Sequence, residues 1–417
     1  MSFPAYAEYK DSGVEWLGEV PAGWEVTRLG SQFAERRETV NDTDYPPLSV
    51  TKKGIVPQLE NAAKTDAKDN RKRVAVDDFV INSRSDRKNS AGVSSYDGSV
   101  SLIYTVLQPP QEVDPNFIHY LLRTTEFAEE FYRYGHGIVA DLWTTRYSEM
   151  KAIMLAMPPQ TEQRAIASFL DRETAKIDAA VAAQERLIAL LAEKRAATTS
   201  HAVTKGLDPD ATMKDSGIEW IGQIPAHWEA KRLRFLCKIE TGDGDTQDAV
   251  KDGEYPFFVR SPNVETINRY SFDCEAVMTS GDGAGVGKIY HHFAGKFTAH
   301  QRVYVFHEFD GILPRLVYHY FKSYFARVTL QGTAKSTVES LRRPLLADFW
   351  IVVPDESEQD AVLEYCDGID RKYDDAIARC QDGIHLLKER RAALVSAAVT
   401  GKIDVRGEVY SKEQEAA

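Results

Sequence analysis

Cysteine is scarce in this chain. Its 417 residues include four, Cys237, Cys274, Cys366 and Cys380, widely spaced and with no Cys-x-x-Cys pair. That excludes a disulfide framework and the usual thiolate zinc sites. No apolar stretch approaches the roughly 20 residues that a membrane-spanning helix requires. The first residues, Met1 to Glu8, lack a basic segment followed by an apolar one. No secretory leader is expected from them, and the cytoplasm is the expected setting.

Catalytic signatures are missing as well. Gly281-Asp282-Gly283-Ala284-Gly285-Val286-Gly287-Lys288 looks at first like a phosphate loop, but Asp282 stands where the first glycine belongs. Ile289 replaces the Ser or Thr that would bind magnesium. His291, His292 and His300 have no acidic or cysteine neighbour at ligand spacing, so no metal is expected. No Gly-x-Ser-x-Gly elbow occurs. The Pro-Pro pairs at 46–47, 109–110 and 158–159 do not form the signature of an amino-methyltransferase. Pro354-Asp355-Glu356 lacks the downstream Glu-x-Lys of a common nuclease core. No residue is assigned a catalytic role.

Net positive charge is also absent. The balance is −12, with residues 1–157 at −5, 158–210 at −1, 211–352 at 0 and 353–417 at −6. The exception is local: ten cations face six anions between positions 49 and 90. Such a patch can hold phosphates on an acidic protein, though weakly by itself.

What the chain does contain is itself, twice. Lys10-Asp11-Ser12-Gly13-Val14-Glu15-Trp16-Leu17-Gly18-Glu19-Val20-Pro21-Ala22-Gly23-Trp24-Glu25 returns 204 positions later, from Lys214 to Glu229, with conservative changes. Glu193-Lys194-Arg195-Ala196-Ala197 returns as Glu389-Arg390-Arg391-Ala392-Ala393, at an offset of 196. Two similar halves with a pseudo-twofold relation are expected, and duplex DNA is a target of matching symmetry. Strands are expected at 74–82 and 101–107, and a helix from Phe117 to Tyr134. In the second half Val277-Met278-Thr279 parallels Val80-Ile81-Asn82, Tyr304 parallels Tyr104, and 313–324 parallels the helix. The repeated Trp16, Trp24, Trp220 and Trp228 read as anchors of the lead-in segments.

Two long helices follow the two regions. From Thr161 to about Val203 there is no Pro or Gly, and Leu170, Ile177, Val181, Ile188 and Leu191 make a heptad-like seam. The counterparts 196 residues on are Cys366, Tyr373, Ile377, Ile384 and Leu387, with Gly368 and Gly383 expected to loosen the second helix. The two stripes are expected to bury one another as an antiparallel pair.

Laid out in this way, the chain resembles the specificity subunit of a type I restriction-modification system. The resemblance rests on Pro158-Pro159-Gln160-Thr161-Glu162-Gln163-Arg164-Ala165-Ile166-Ala167-Ser168-Phe169-Leu170-Asp171, Thr174-Ala175-Lys176-Ile177-Asp178, Val203-Thr204-Lys205-Gly206-Leu207 and Lys214 to Trp228. The second copy is looser, with Glu358-Gln359-Asp360 for Glu-Gln-Arg. The resemblance implies an α+β fold: two pseudo-repeated globular target-recognition domains joined by two long antiparallel coiled-coil helices. The expected boundaries are 1–157 and 209–352 for the recognition domains, 158–208 and 353–404 for the spacer helices, and 405–417 for a frayed tail.

It further implies a non-catalytic subunit that reads an asymmetric, bipartite site on double-stranded DNA. Two modification subunits, using S-adenosylmethionine for adenine-N6 methylation, would dock on it, and two ATP- and magnesium-dependent restriction subunits could join. No cofactor is expected on this chain. The seam positions Leu170, Ile177, Val181, Ile188, Leu191, Tyr373, Ile377, Ile384 and Leu387 are expected to build the spacer and its partner contacts. Lengthening both helices by a turn, roughly 5.4 Å, near Gln184 and Cys380 should widen the recognised gap by one or two base pairs. An unchanged methylation motif would refute this ruler.

Base readout is expected from the divergent loops. These carry Arg84, Arg87, Lys88 and Asn89 in the first half, and Arg260, Asn263, Gly283, Lys288, Arg302, Lys335 and Ser336 in the second. Arginine pairs bidentately with guanine and asparagine with adenine. Lys53, Arg71 and Arg73 are expected to touch phosphates, which position without specifying. Two other readings remain open: a scaffold whose globular halves bind protein, and a self-sufficient DNA enzyme.

Overall fold

The computed structural model describes residues 3–59, 69–84, 89–137, 143–325 and 341–408. They form two units, Met1–Ala183 with Gly383–Ala417, and Gln184–Asp382. Both are mixed helix and strand. Among the described residues no helix is long and apolar enough to cross a membrane.

The repeated block builds the same small scaffold in each unit. In the first, Tyr9–Asp11 pairs with Glu19–Pro21, and Glu25–Arg28 pairs with Met154–Met157. In the second, Met213–Asp215 pairs with Gln223–Pro225, and Glu229–Arg232 with Trp350–Val353. Trp24 and Trp228 are each 1% exposed, as expected of anchors. The Trp24 indole donates to Glu162 at 3.0 Å, and the Trp228 indole donates to Glu358. Each acceptor lies in the first turn of a long helix, where a carboxylate also meets the positive end of the helix dipole. The next residue clamps the loop beside it. Gln163 accepts from Asp114 N and donates to the Pro158 carbonyl, both at 2.8 Å, and Gln359 accepts from Leu313 N (2.8 Å) and donates to the Gly311 carbonyl (2.9 Å). The repeated Glu-Gln pair is thus explained by packing.

Small sheets fill each unit. In the first, a four-stranded sheet runs Ala91–Val93, Phe79–Asn82, Tyr104–Gln108, Ala34–Glu35. The expected strand 74–82 is broken by a turn in which Asp77 has φ 70° and Asp78 accepts from Ala75 N. The expected helix 117–134 is also broken. Thr124 accepts from Phe127 N and donates to the Leu121 carbonyl, ending Pro115–Leu121 and capping Thr125–Arg133. In the second unit a six-stranded sheet places Phe272–Ser280 between Val303–His307 and Tyr290–Ala299. Its helix, Pro314–Tyr320, continues as a wider turn over Phe321–Phe325.

The long helices span Gln160–Lys205 and Glu356–Val399, roughly 69 and 66 Å at 1.5 Å per residue. Each contributes to the core of both units. Ile166, Phe169 and Leu170 join Val395, Ala398 and Val399 in the first unit, while Ala202 and Val203 join Val362 and Cys366 in the second. Within each unit, late residues of one helix meet early residues of the other, so the pairing is antiparallel. Arg391 binds Asp178 at 2.9 Å in the first unit, and Arg195 binds Asp370 and Asp374, both at 2.6 Å, in the second. Leu170, Ile177 and Tyr373 are buried; Val181, Ile188, Leu191, Ile377, Ile384 and Leu387 are half-buried. Both helices end on a glycine with positive φ, Gly206 and Gly401, and a Cβ at either would lie 3.2 Å from the ring of Trp228 or Trp24.

Gly368 and Gly383 do not break the second helix, and a Cβ at either meets open space. Gly368→Ala and Gly383→Ala are therefore each expected to stabilise the protein by about 0.5–1 kcal/mol. Urea unfolding of the two variants checks this, and an unchanged midpoint in both would refute it. The start of the tail expected to be frayed is docked: Val405 is fully buried and Asp404 N donates to the Pro4 carbonyl at 2.7 Å. Residues 409–417 lie outside the described residues.

Candidate nucleic-acid interface

The two halves present corresponding loops from corresponding strand ends. Asn82, the last residue of its strand, pairs with Tyr104, and Thr279, one residue before the end of its strand, pairs with Tyr304. These are the equivalences read from the sequence, so the chain leaves the same strand end in both units. Ser83 and Thr105 share a hydroxyl hydrogen bond at 3.0 Å, and Arg84 N donates to the Asn82 side chain, also at 3.0 Å. Arg84 is exposed, and so is Asn89, which has φ 64°. An asparagine tolerates that left-handed backbone better than most residues.

In the second unit the sequence-predicted residues come together. Asp282 accepts from Arg260 at 2.9 Å and from Arg302 at 2.6 Å. Gly283 follows with φ 76°, and a Cβ there would sit 3.8 Å from the Arg260 guanidinium. The two arginine side chains remain 39% and 58% exposed, against 18% for Asp282. Burial alone would raise the Asp282 pKa, but the two arginine hydrogen bonds and charges hold it below the ordinary carboxylate range. The brace is therefore present at neutral pH and is lost as pH falls through that lowered value. It orients two guanidinium groups while leaving one net positive charge, and so can offer preset donors to an acceptor edge. Asp282→Asn should release both arginines, strengthening binding to arbitrary duplexes while weakening discrimination. Fluorescence anisotropy on cognate and scrambled duplexes tests it, and an unchanged ratio of affinities would refute the bracing role.

The remaining predicted residues are more scattered. Lys53 and Lys288 are exposed, the former on the turn between Leu48–Thr51 and Gly54–Pro57. Asn263 is exposed, and its backbone N–H is held by Ser261 at 3.1 Å. Arg73 is engaged by Glu38 at 3.2 Å and lies over the Tyr45 ring at 4.8 Å. Arg71 departs from the expectation: it is 6% exposed, and its guanidinium donates to the Ser99 hydroxyl and carbonyl at 2.8 and 3.1 Å. It braces two paired strands from inside and leaves no face for a phosphate. Arg87, Lys88, Lys335 and Ser336 lie outside the described residues. Asp282, the brace, was noticed in the sequence only as a departure from a phosphate loop. An acid in a glycine-rich loop is the signal, but its partners lie 22 and 20 positions away.

His291 faces the Ser261 carbonyl, His292 pairs with Glu275, and His300 accepts from Arg302 N. Among the described residues no group of three His, Cys, Asp or Glu side chains is placed to hold a metal.

No family model matches the chain. The type I restriction enzyme EcoDI specificity subunit of Escherichia coli is 32% identical to it over 182 residues, covering 44% of this chain and 40% of that relative. The chain thus spans less than half the length of this curated relative. A solved chain, described in connection with complex assembly and conformational transition of the type I R-M system, superposes with a TM-score of 0.66. It covers 91% of this chain and 98% of its own length at 16% identity, a likeness of fold. The resemblance read from the repeats is borne out: in sequence this chain is similar to a type I restriction enzyme specificity subunit, and in fold to a chain of a type I R-M system.

Proposed function

We propose that this chain is the sequence-specific DNA-recognition subunit of a type I restriction-modification complex, and that it reads an asymmetric, bipartite site. The observation that carries this is the pair of corresponding strand-end loops, set in the same register and bearing different side chains. The same framework with different loops suits two half-sites of different sequence. Arg84 and Asn89 belong to one reader, and Arg260, Arg302, Gly283 and Lys288 to the other, with Asn263 beside it. Lys53 and Arg73 supply phosphate contacts, and Arg87, Lys88, Lys335 and Ser336 extend the two readers. The recognition domains comprise 1–157 and 209–352, and the spacers 158–208 and 353–404.

Two readers on one face of a duplex need centres about a helical turn apart, roughly 34 Å. Rigid helices fix a separation where a flexible linker would let the half-sites slip. Each unit also leaves large apolar side chains exposed on its stretch of long helix. Leu187 and Leu190 are 43% and 52% exposed in one, and Leu386 is 63% exposed in the other. These suit docking of two modification subunits, which would bring S-adenosylmethionine. Two restriction subunits would bring ATP and magnesium chemistry. The acidic balance of this chain then matters less, because affinity for DNA is shared with its partners.

Methylome sequencing of a methylation-free host carrying the modification subunit, with and without this chain, tests the reading. A split adenine-methylated motif present only with this chain is expected. Its absence from a stably co-purifying complex would overturn the DNA-reading role.

A further inference from the structure

Two clusters of charge, one in each unit, share a layout, and at corresponding positions the first has one carboxylate and one arginine fewer than the second. In the second unit Asp370 binds Arg195 at 2.6 Å and Lys322 at 3.2 Å. Asp374 takes the other arm of Arg195 at 2.6 Å, and Asp367 binds Arg315 at 2.7 Å and His319 at 3.2 Å. Each cation there has an acidic partner.

The first unit repeats this layout. The helix Pro115–Leu121 stands 199 positions before Pro314–Tyr320, and the long helices are offset by 196. Tyr120 therefore corresponds to His319, and its hydroxyl donates to Asp171, the counterpart of Asp367, at 2.7 Å. Arg391 corresponds to Arg195 and binds Asp178, the counterpart of Asp374, at 2.9 Å. Two positions change charge: Asn116 stands for Arg315, and the contacts of Asp370 have no equivalent. The place of Asp370 is taken by Thr174, whose hydroxyl donates to the Leu170 carbonyl at 2.7 Å.

Arg123, the counterpart of Lys322, thereby has no counter-ion among the described residues. Its Nη1 lies against His119 Nε2, its Nη2 donates to the Lys52 carbonyl, and its buried Nε has no partner among the described residues. His119 supplies no charge, because burial and the nearby arginines lower its pKa to about 4. A half-sunk guanidinium without an anion is costly, and the cost falls if an anion binds. Arg123 faces a groove of about 480 Å³ that is also lined by Lys388, Arg391 and Lys402. Among the described residues three carboxylates stand near these four cations, Asp171 among them, held by the Tyr120 hydroxyl on the groove wall. Asp178 holds Arg391, and Glu126, on the groove wall, is engaged by the Ser396 hydroxyl. Positive charge is left over, and the first turn of the nine-residue helix Thr125–Arg133 adds its N-terminal dipole.

We propose that this groove binds a phosphate group, which occupies in the first unit the place that the Asp370 carboxylate holds in the second. A phosphate offers several acceptor oxygens at once to a guanidinium edge and two ammonium groups, which one carboxylate does not. The group comes either from a duplex backbone or from free phosphate.

Inorganic phosphate is titrated into the full chain at fixed ionic strength, with chloride and acetate as references, and followed by calorimetry and thermal unfolding. The native chain should bind phosphate saturably and melt several degrees higher with it. Thr174→Asp should melt higher without phosphate and lose the response, and Arg123→Gln should lose the response as well. Asp370→Thr should create a second binding event. If phosphate acts on the native chain no differently from chloride, or if its effect survives in Thr174→Asp, the proposal fails. A saturating short duplex separates the sources: loss of phosphate binding identifies the occupant as a backbone phosphate, and retention identifies it as free phosphate.

Discussion

Trp24→Ala is expected to unfold the first unit under conditions in which the second stays folded. The ring is 1% exposed, packs edge-on against Tyr6 at 5.9 Å and lies beneath the closing turn at Gly401. Removing so large a side chain from a core costs about 3–5 kcal/mol. It also deprives the buried Glu162 of one of the two side-chain hydrogen bonds it accepts among the described residues, leaving that from the Tyr6 hydroxyl at 2.6 Å. A whole domain is stable by only about 5–15 kcal/mol, so such a loss is a large share of it. Two separated transitions are expected in urea where the native chain shows closer ones, with Trp228→Ala shifting the other transition. Trp24→Phe, which keeps an aromatic ring and loses the N–H, should fall between. A shift below about 1 kcal/mol for Trp24→Ala would refute the anchor role.

The second large effect concerns DNA. With the proposed modification subunit present, Arg302→Ala should lower discrimination for the proposed DNA target by about 1–3 kcal/mol, roughly 5- to 150-fold. Arg302 is 58% exposed and held by Asp282, so its removal takes a donor edge from the surface without opening the core. Lys53→Ala provides the contrast: affinity should drop for all sequences alike, and the salt slope should fall by about one. Methylation rates on duplexes varied one base pair at a time separate the two. If Arg302→Ala weakens every duplex equally, the residue holds phosphate and does not read bases.

The repeated parts of this structure were legible because they carry packing that cannot vary. A tryptophan, an acid that accepts from it and a glutamine that clamps a loop must recur together, and they do so at both offsets. The register Asn82–Tyr104 and Thr279–Tyr304 followed from the same logic. Where the reading missed, the cause was a partner far along the chain or a competing local bond. Arg71 looks like a surface cation until Ser99, 28 residues later, is laid beside it. The helix at 117–134 has an unbroken apolar face, but the Thr124 hydroxyl offers the backbone a competing cap. The continuity through Gly368 and Gly383 shows the opposite balance, in which tertiary packing outweighs a weak local propensity.

The division of the long helices between the cores sets an order of assembly opposite to the order of synthesis. The first unit is translated first, yet its core holds Val395, Ala398, Val399 and Val405, near the far end of the chain. The second unit draws only on residues 184–382. A nascent chain stopped just past residue 382 would therefore own every piece of the later unit and lack the last pieces of the earlier one. Until those arrive, Ile166, Phe169 and Leu170 have part of their packing surface unfilled, so the N-terminal half is the one that keeps apolar surface open longest during synthesis.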